Sequence, residues 1–213
     1  MAAGSGTRMG DKIPKQFIEI SGKPIIAYTL SKFKTIENLK IIIVLPEKKF
    51  SFWKKYLSNI IQDEKIIYAK GGNKRFISVK NGLKKIKNNE GLVAIHDGVR
   101  PMLSYNLINN LFDNAEKIGN AVPFIPVINS LRKVKGGKNK AVNRKDYVNI
   151  QTPQVFKINI INDSLQKAKH SEYNDEASLI EEMGYKINLI KGEKKNIKLT
   201  DAVDLEYFKK ISF

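Results

Sequence analysis

The sequence predicts an α/β fold, a doubly wound and mostly parallel sheet with helices on its faces and a projecting β-hairpin arm. Two observations predict it. Short apolar, β-branched runs alternate along the chain with segments of helical periodicity, the order expected of parallel strands joined by crossover helices. One polar segment, 129–150, interrupts this alternation and carries Gly-Gly between two runs of alternating residues. This segment predicts the arm.

The strands and helices follow in order. The run LKIIIVL at 39–45 is continuous and β-branched, as in a strand that is buried on both faces. Further strands are predicted at 65–69, 91–97, 120–127 and 186–190. Helical spacing is found between them at 24–35, 47–60, 74–88, 104–117, 158–169, 175–184 and 201–211. Ligands of such sheets bind beyond the carboxyl ends of the strands, so the loops after strands are the candidates for chemistry.

The arm has two possible roles. A two-stranded ribbon is barely stable alone, so it either packs on another subunit or is a floppy surface insertion. The pattern alone does not separate the two. No linker or internal repeat divides the chain, and a single domain, 1–213, is predicted, with the arm at about 129–150.

Composition excludes several classes of protein. The 213 residues are 42% hydrophobic and include no cysteine, which excludes disulfides, thiolate metal sites and a cysteine nucleophile. No apolar run approaches the length of a membrane span, and the chain starts directly in small polar residues without a signal peptide. A cytoplasmic protein without membrane contact is expected.

The net charge of +17 raises the alternative of a nucleic-acid-binding protein. The lysines are scattered rather than gathered into one basic arm with aromatic residues, so no nucleic-acid partner is expected. Arginine is the more informative residue, because its planar, two-pronged donor grips oxyanions. The chain has five arginines, and four of them lie in the motifs below: Arg8, Arg75, Arg100 and Arg144.

The opening stretch AAGSGTRMGDKIPKQF predicts a phosphate-binding loop. It is neither a P-loop nor a dinucleotide fingerprint, since no Gly-Lys-Ser/Thr follows and Met9 stands at the third glycine position. Small residues would let backbone N–H groups approach an anion closely. These residues are Ala2, Ala3, Gly4 and Gly6. Arg8 and Lys15 would add positive charge, which favours phosphate over an ordinary glycine turn.

The second loop, GGNKRFISVKNGL at 71–83, follows a strand and opens a helix. Gly71 and Gly72 allow a tight turn with close approach of a ligand. Arg75 and Ser78 lie near the helix N-terminus, which favours anions. The alternative is an ordinary helix start capped by Asn73, and both interpretations can hold together.

The stretch HDGVRP at 96–101 ends a strand. An aspartate at that place can bind Mg²⁺ beside phosphates, which predicts Asp97 as a metal ligand. Arg100 could bind a phosphate or only pair with Asp97. His96 has no evident metal-binding partner and is interpreted as structural. Two later stretches are unremarkable alone: NDEAS, with Asn174 as a helix cap, and KNIKLT, with Lys198 before the last helix.

Taken in order, six motifs resemble the 2-C-methyl-D-erythritol 4-phosphate cytidylyltransferase family. They are AAGSGTRMG…PKQ, GG..R..SV.NGL, HDGVRP, TPQ.F, DEAS and NIKLT, and they extend from residue 1 to about 208. The resemblance implies a Rossmann-like homodimer that uses CTP, a sugar-alcohol phosphate and Mg²⁺. The ribitol 5-phosphate cytidylyltransferases share the first loop, HD..RP and TPQ. The stretch DEASLIEEMGY is closer to the methylerythritol enzymes.

The resemblance also implies roles for individual residues. The nucleotide would be surrounded by Ala2, Ala3, Gly4, Gly6 and Gly72, with Asn73, Arg75 and Ser78 beside them. Arg8, Lys15 and Lys198 would neutralise charge at the α-phosphate, and Asp97 would hold Mg²⁺. The substrate phosphate would be bound by Arg100 and, from the arm of a partner subunit, by Ser130 and Arg144.

Four positions depart from the resemblance. Asn73 and Asn174 stand where Asp and Thr are frequent, and Ser130 stands where Thr is usual. Lys195 occupies a position where an acid can occur, so no second metal ligand is assigned there. Relatives also carry a short apolar strand before AAG, at the centre of the sheet. We therefore expect Met1 to be an internal residue of a longer chain; otherwise the sheet lacks its first central strand.

Overall fold

The computed structural model describes residues 1–4, 13–34 and 36–211. Within these residues the chain forms seven α-helices: α1 Ile25–Ser31, α2 Phe50–Ile60, α3 Arg75–Leu83, α4 Tyr105–Ile118, α5 Ile158–Lys167, α6 Glu176–Glu182 and α7 Ala202–Lys209. Its strands are β1 Glu19–Ile20, β2 Lys23–Pro24, β3 Ile41–Leu45, β4 Ile66–Lys70, β5 Leu92–Ile95, β6 Asn120–Pro126, β7 Leu131–Lys135, β8 Lys138–Val142, β9 Val148–Ile150, β10 Gln154–Lys157 and β11 Leu189–Lys191. None of the helices described is long and apolar enough to cross a membrane.

The central sheet has the order β11-β6-β10-β5, with β9 also paired to β6. β6 and β11 run parallel, and so do β3 and β4, which form a separate pair. β10 runs antiparallel to both β5 and β6. The α/β class with parallel strands is confirmed, and the sheet is mixed because a returning strand enters between β5 and β6.

The first two residues connect the two groups of strands. The backbone N–H of Ala2 donates to the carbonyl of Val44 at the end of β3, at 2.9 Å. On the other side, the backbone nitrogen of Met1 donates to the carbonyl of His96, and the N–H of Gly98 donates to the carbonyl of Met1. Among the described residues, β3 and β5 do not pair with each other, and these bonds link the end of one to the end of the other.

Alternation along the strands shows that helices cover both faces of the sheet. Ala121 and Val155 pack with the apolar side of α4. Their neighbours Val122 and Phe156 pack instead with α3, α5 and α6. Because successive strand residues point to opposite faces, the two clusters lie on opposite sides of one sheet. Burying each of the larger side chains, Val122, Val155 and Phe156, stabilises the fold by roughly 1.5–3 kcal/mol.

The five predicted strands and seven predicted helices are all present, with ends that differ by a few residues. The sequence interpretation missed β10, because its four residues run directly into α5 and carry no turn between them. It also missed β9 and the short β1–β2 pair. Two predicted helix caps are wrong: Lys74, not Asn73, precedes α3, and Asp175, not Asn174, caps α6 with the side-chain bonds of a capping box.

The projecting part of the arm is the ribbon β7–β8. Gly136 and Gly137 form its turn with φ of 55° and 76°, the left-handed conformations that a two-residue hairpin turn requires. Nearly every ribbon residue is exposed. The chain then returns to the body through a 3₁₀ turn at Arg144–Asp146 and pairs as β9 with β6. The 129–150 segment is thus part ribbon and part sheet.

Candidate active site

Asp97 is the centre of a charged cluster just beyond the end of β5. Its Oδ2 atom accepts from Lys198 Nζ at 2.9 Å and from Arg100 Nε at 3.4 Å. Arg75 Nη2 lies 4.0 Å from Oδ1. Burial alone would raise the pKa of Asp97, but these three cations outweigh it and hold the pKa well below its usual range. The carboxylate is therefore ionised at neutral pH.

His96 is a buried, neutral support for the neighbouring Asp97. Its Nε2 lies 3.2 Å from the carbonyl of Arg100, which can only accept, so Nε2 carries the proton. Nδ1 then accepts from the hydroxyl of Thr152 at 3.0 Å, and the same oxygen accepts from the backbone N–H of Asp97. Burial lowers the pKa of His96 to about 3. The structural interpretation of His96 agrees with these contacts.

The loop that carries Lys198 is fastened to the same cluster by buried amides. Asn196 Nδ2 donates to the carbonyl of Thr152 at 2.9 Å, and the carbonyl of Asn196 accepts from Arg100 Nη1 at 2.8 Å. Gln151 Nε2 donates to the carbonyl of Glu193, and its Oε1 accepts the N–H of Glu193. These bonds set the position of Lys198 relative to Asp97.

Lys15 lies on a short 3₁₀ turn, Lys15–Phe17, next to the loop that carries Lys198. Its Nζ donates to the carbonyl of Leu199 at 2.7 Å, one residue from Lys198. The next residue, Gln16, is buried and donates through Nε2 to the carbonyls of Ala2 at 2.7 Å and Gly4 at 2.9 Å. Phe17 stacks on Trp53 in the core. One anchored turn thus holds both Lys15 and the start of the opening loop.

Gln16 is a supporting residue that the sequence interpretation missed. The sequence feature that could have identified Gln16 is its place in the PKQ stretch, directly after Lys15. A glutamine amide donates two hydrogen bonds, and here both hold loop carbonyls. The described part of the opening loop is therefore tied down from inside the protein.

The second loop touches the first. Gly71 donates its N–H to the carbonyl of Leu45, and a Cβ at Gly71 would overlap that of Ala3. Ser78 is buried, with its hydroxyl oxygen accepting from the N–H of Gly72 at 2.9 Å and donating to the carbonyl of Lys74 at 3.0 Å. Ser78 thus shapes the loop, and Asn73 is exposed at its edge.

Arg75 joins α3 to α6 as well as to the charged cluster. Its Nη1 donates to Glu176 Oε1 in a close ion pair, and Glu176 is only 4% exposed. Burial lowers and Glu176 raises the pKa of Arg75, which stays protonated at any physiological pH. Arg75 faces Asp97 and is not spread on the outer surface.

The structure brings together most of the predicted site residues. Those in or beside the cluster are Ala2, Ala3, Gly4, Lys15, Gly72, Arg75, Ser78, Asp97, Arg100 and Lys198. Gly6 and Arg8 lie outside the described residues. Ser130 and Arg144 belong to the exposed arm, where Arg144 donates to the carbonyl of Ile128. Within the described part of the chain, neither makes a hydrogen bond or ion pair to the cluster.

The donor set at Asp97 fits a cation that arrives with phosphates. Among the described residues there is no group of three or more His, Asp or Glu side chains that could hold a metal ion alone. Mg²⁺ is commonly bound by one or two carboxylates together with water and phosphate oxygens. Asp97 supplies one ionised carboxylate, and the surrounding Lys and Arg side chains suit the phosphates. The arrangement is suited to binding a polyphosphate, not to covalent catalysis.

Comparison with known proteins agrees with this geometry. The family model described as 2-C-methyl-D-erythritol 4-phosphate cytidylyltransferase matches residues 1–211. The enzyme of that name from Phocaeicola vulgatus is 38% identical over 207 residues, covering 97% of this chain and 94% of the relative. That from Bacteroides fragilis is 39% identical, with the same coverage.

Solved structures show the same fold. The 2-C-methyl-D-erythritol 4-phosphate cytidylyltransferase of Thermus thermophilus superposes with a TM-score of 0.78 at 27% identity, and the match covers 92% of each chain. The 4-diphosphocytidyl-2C-methyl-D-erythritol synthase of Anaerococcus prevotii superposes with a TM-score of 0.82 at 25% identity, covering 98% of this chain and 93% of the other. Both are similar to this chain along nearly its whole length.

Proposed function

The chain belongs to the 2-C-methyl-D-erythritol 4-phosphate cytidylyltransferase family, and on this premise we infer how its cation-lined site performs the reaction. The enzyme transfers CMP from CTP to 2-C-methyl-D-erythritol 4-phosphate in the non-mevalonate isoprenoid pathway. The products are 4-diphosphocytidyl-2-C-methyl-D-erythritol and pyrophosphate. The observation that carries the assignment to this site is the convergence of Arg75, Arg100 and Lys198 around Asp97, with Lys15 bonded to the residue after Lys198.

The reaction needs no general base. The second pKa of a phosphate monoester is about 6, so the substrate phosphate is largely a dianion at neutral pH. One of its oxygens attacks the α-phosphorus of CTP, a new P–O bond forms, and the bond to the oxygen that bridges to the β-phosphate breaks. Pyrophosphate leaves with that electron pair. The site must align the two phosphates and neutralise their charge.

We assign that work to the cations of the cluster. We propose that Lys198 and Lys15, which bonds to the carbonyl of Leu199, both contact the α-phosphate. Arg8 is assigned to the same phosphate by the resemblance alone. Arg100 is already bound to Asp97 and to the carbonyl of Asn196, so we propose that it acts mainly by orienting Asp97 and contributes one edge to the substrate phosphate.

A divalent cation, in our proposal Mg²⁺, would be held by Asp97 and by phosphate oxygens of CTP. When bound, it withdraws charge from the phosphates and so favours attack at phosphorus. The ionised state of Asp97 supports this assignment, as does its Oδ1 atom, to which the described residues make no hydrogen bond. Lys198, whose side chain is 41% exposed, would add its positive charge beside the same phosphates.

The nucleotide is assigned to the two touching loops. The backbone of Ala2–Gly4, fixed by Gln16, and that of Gly72, fixed by Ser78, present small residues to the ligand. Backbone N–H groups in such loops bind phosphates at close range. Asn73 lies at the exposed edge, and its contact with the base or ribose stays a prediction.

We propose that the enzyme is a homodimer through the arm. Two features of the arm support it. Val134 is 72% and Ile128 62% exposed. The ribbon also places Lys133 opposite Lys140 and Lys135 opposite Lys138, and like charges in such pairs repel. A partner surface would relieve both costs, and Ser130 and Arg144 would then reach the partner's substrate phosphate. The predicted cytoplasmic location and the absence of a nucleic-acid partner stay predictions.

The substrate assignment is tested by a parallel assay of pyrophosphate release. With CTP and Mg²⁺, we expect rapid release with 2-C-methyl-D-erythritol 4-phosphate and at least about 100-fold lower kcat/KM with ribitol 5-phosphate, because a site built to bond one set of hydroxyls rejects another. The proteins from Phocaeicola vulgatus, Bacteroides fragilis and Thermus thermophilus are named for the first substrate. Release with ribitol 5-phosphate alone would overturn the assignment.

Substitution of Arg144 tests the role of the arm. Arg144→Ala should raise KM for the sugar phosphate about 10- to 100-fold, the range for losing a hydrogen bond to a charged group, while KM for CTP changes less than about 2-fold. Arg132→Ala is the matched control, since Arg132 lies in the same arm and its side chain bonds only to Asn139 among the described residues. Equal effects on both substrates would contradict the model of the arm.

A mixing experiment decides whether the arm acts on the partner's site. Arg144→Ala and Lys15→Ala subunits are each expected to be at least about 10-fold less active than the unmodified enzyme at limiting sugar phosphate. If the arm completes the neighbouring site, a mixed dimer has one site with both changes and one site with neither, so activity returns on mixing. If the arm serves its own subunit, no site is intact and no activity returns.

A further inference from the structure

Arg75 is shared unequally between two carboxylates. It forms a close ion pair with Glu176 through Nη1, while its Nη2 stops 4.0 Å short of Asp97. A direct charged N–H···O bond is about 2.7–2.9 Å long, so the second contact is only electrostatic. Glu176 therefore decides where the guanidinium lies.

The two oxygens of Asp97 differ as a result. Oδ2 is occupied by Lys198 and Arg100. For Oδ1, the described residues offer only the distant Nη2 of Arg75 and no hydrogen bond. Oδ1 is thus the oxygen from which a cation can approach Asp97 without first breaking a bond.

Glu176 is held in place independently of Arg75. Gln154 in β10 donates to the side chain of Asp175 at 2.8 Å and accepts the N–H of Ala177 at 3.0 Å, so it fastens the residues on both sides of Glu176. Asp175 and Ser178 form a capping box at the same helix start. The backbone of Glu176 is consequently anchored to the sheet, which fixes the point from which its carboxylate reaches Arg75.

Stability alone is a poor explanation for this acid. Burial raises the pKa of Glu176, which Arg75 opposes, and its Oε2 atom has no hydrogen-bond partner among the described residues. A buried carboxylate with an unpartnered oxygen costs free energy, and well-packed apolar residues often replace buried ion pairs without loss. The contact with Arg75 suggests that Glu176 serves to position this arginine.

We propose that Glu176 is a positioning residue that holds Arg75 away from Oδ1 of Asp97 and so keeps this oxygen open for the divalent cation. The proposal rests on the proposed function, which places the cation at Asp97. Without the Glu176 charge, Arg75 needs to move only about 1 Å to bond directly to Oδ1. The cation would then have to displace a charge-assisted hydrogen bond.

The test is the affinity for Mn²⁺, measured from the electron paramagnetic resonance signal of free Mn²⁺. The enzyme is kept in excess over a non-hydrolysable CTP analogue, and calorimetry in EDTA verifies that each variant is loaded. Glu176→Gln should weaken Mn²⁺ binding about 10-fold. The double variant Arg75→Gln/Glu176→Gln should bind Mn²⁺ within about 3-fold of the unmodified enzyme, since the competing guanidinium is gone.

Glu181→Gln, an exposed change on the same helix, is the matched control and should leave Mn²⁺ affinity unchanged. Unchanged affinity in Glu176→Gln, or a double variant as weak as Glu176→Gln, overturns the proposal. If circular dichroism shows that Glu176→Gln is unfolded, the double variant still tests the proposal. Mn²⁺ binding by the double variant that is weaker than in the unmodified enzyme would contradict the role of Arg75. The proposed function is tested separately with Asp97→Asn. If this variant binds Mn²⁺ as tightly as the unmodified enzyme, Asp97 does not hold the cation.

Discussion

Replacement of Asp97 by Asn should lower kcat by at least about 1,000-fold at saturating CTP and Mg²⁺. The amide keeps the size of the side chain but removes the charge that we assign to the cation, and a group that stabilises developing charge in this way contributes several kcal/mol to the transition state. Pyrophosphate release in single-turnover conditions measures the chemical step. Asp113→Asn, an exposed change on α4, is the control.

Asp97→Asn should also change the stability of the ligand-free protein. Asp97 neutralises Lys198, Arg75 and Arg100, so its loss should lower the free energy of unfolding by about 3 kcal/mol at pH 7. The folded pKa is depressed, so this stability is complete above the unfolded value of about 4 and is lost as pH falls through the folded pKa. Urea unfolding should show an equal deficit at pH 7 and 5 that shrinks below pH 4.

These two readouts separate catalysis from folding. An inactive and destabilised Asp97→Asn variant fits the assignment only if its folded form is inactive. The assay is therefore run without urea, where the variant is still folded. Retention of more than about a tenth of the activity would remove Asp97 from the metal site. A deficit that grows at low pH would contradict the direction of the pKa shift.

Lys15→Ala should lower kcat about 100- to 1,000-fold with a smaller effect on KM for CTP. Lys15 lies on an anchored turn beside Lys198, and its charge is assigned to the α-phosphate, where charge redistributes in the transition state. The fold should change little, because Phe17 and Gln16 hold the turn without it. Steady-state kinetics and thermal unfolding measure the two effects.

Lys23→Ala is the matched control for Lys15→Ala, since Lys23 is an exposed lysine in the short strand β2. We expect its kinetics to be unchanged. That result would show that the loss of one positive charge does not by itself lower kcat. If Lys15→Ala turns over at the normal rate, Lys15 has no part in the mechanism. If it melts far below the unmodified enzyme, its bond to Leu199 is structural instead.

The order of elements could be predicted because apolar patterning is a local property. The β-branched run of β3 and the periodicity of α4 are visible in any short window. β10 could not be found in this way, since four apolar and polar residues before a helix have no pattern of their own. Its strand state is produced by β5 and β6 on either side, which are distant in sequence.

The site was predictable to the extent that its residue types carry the chemistry. Asp97 and Arg75 were singled out by charge and by their place after strands, and Lys198 by the resemblance; the structure brings the three together. Gln16 and Glu176 were not singled out, because each acts through a long-range contact with another residue. Such supporting roles depend on tertiary distances, and no local spacing encodes them.

The meeting of the two phosphate loops also limits how this chain can diverge. Ala3 and Gly71 touch with the smallest side chains available, and the space at Gly71 is further closed by the carbonyl of Leu45, 3.0 Å from where a Cβ would lie. A larger residue at either position has to displace a loop. Position 71 is therefore closed to every residue larger than glycine unless a loop moves, and a mutational library that varies it will return mostly inactive clones.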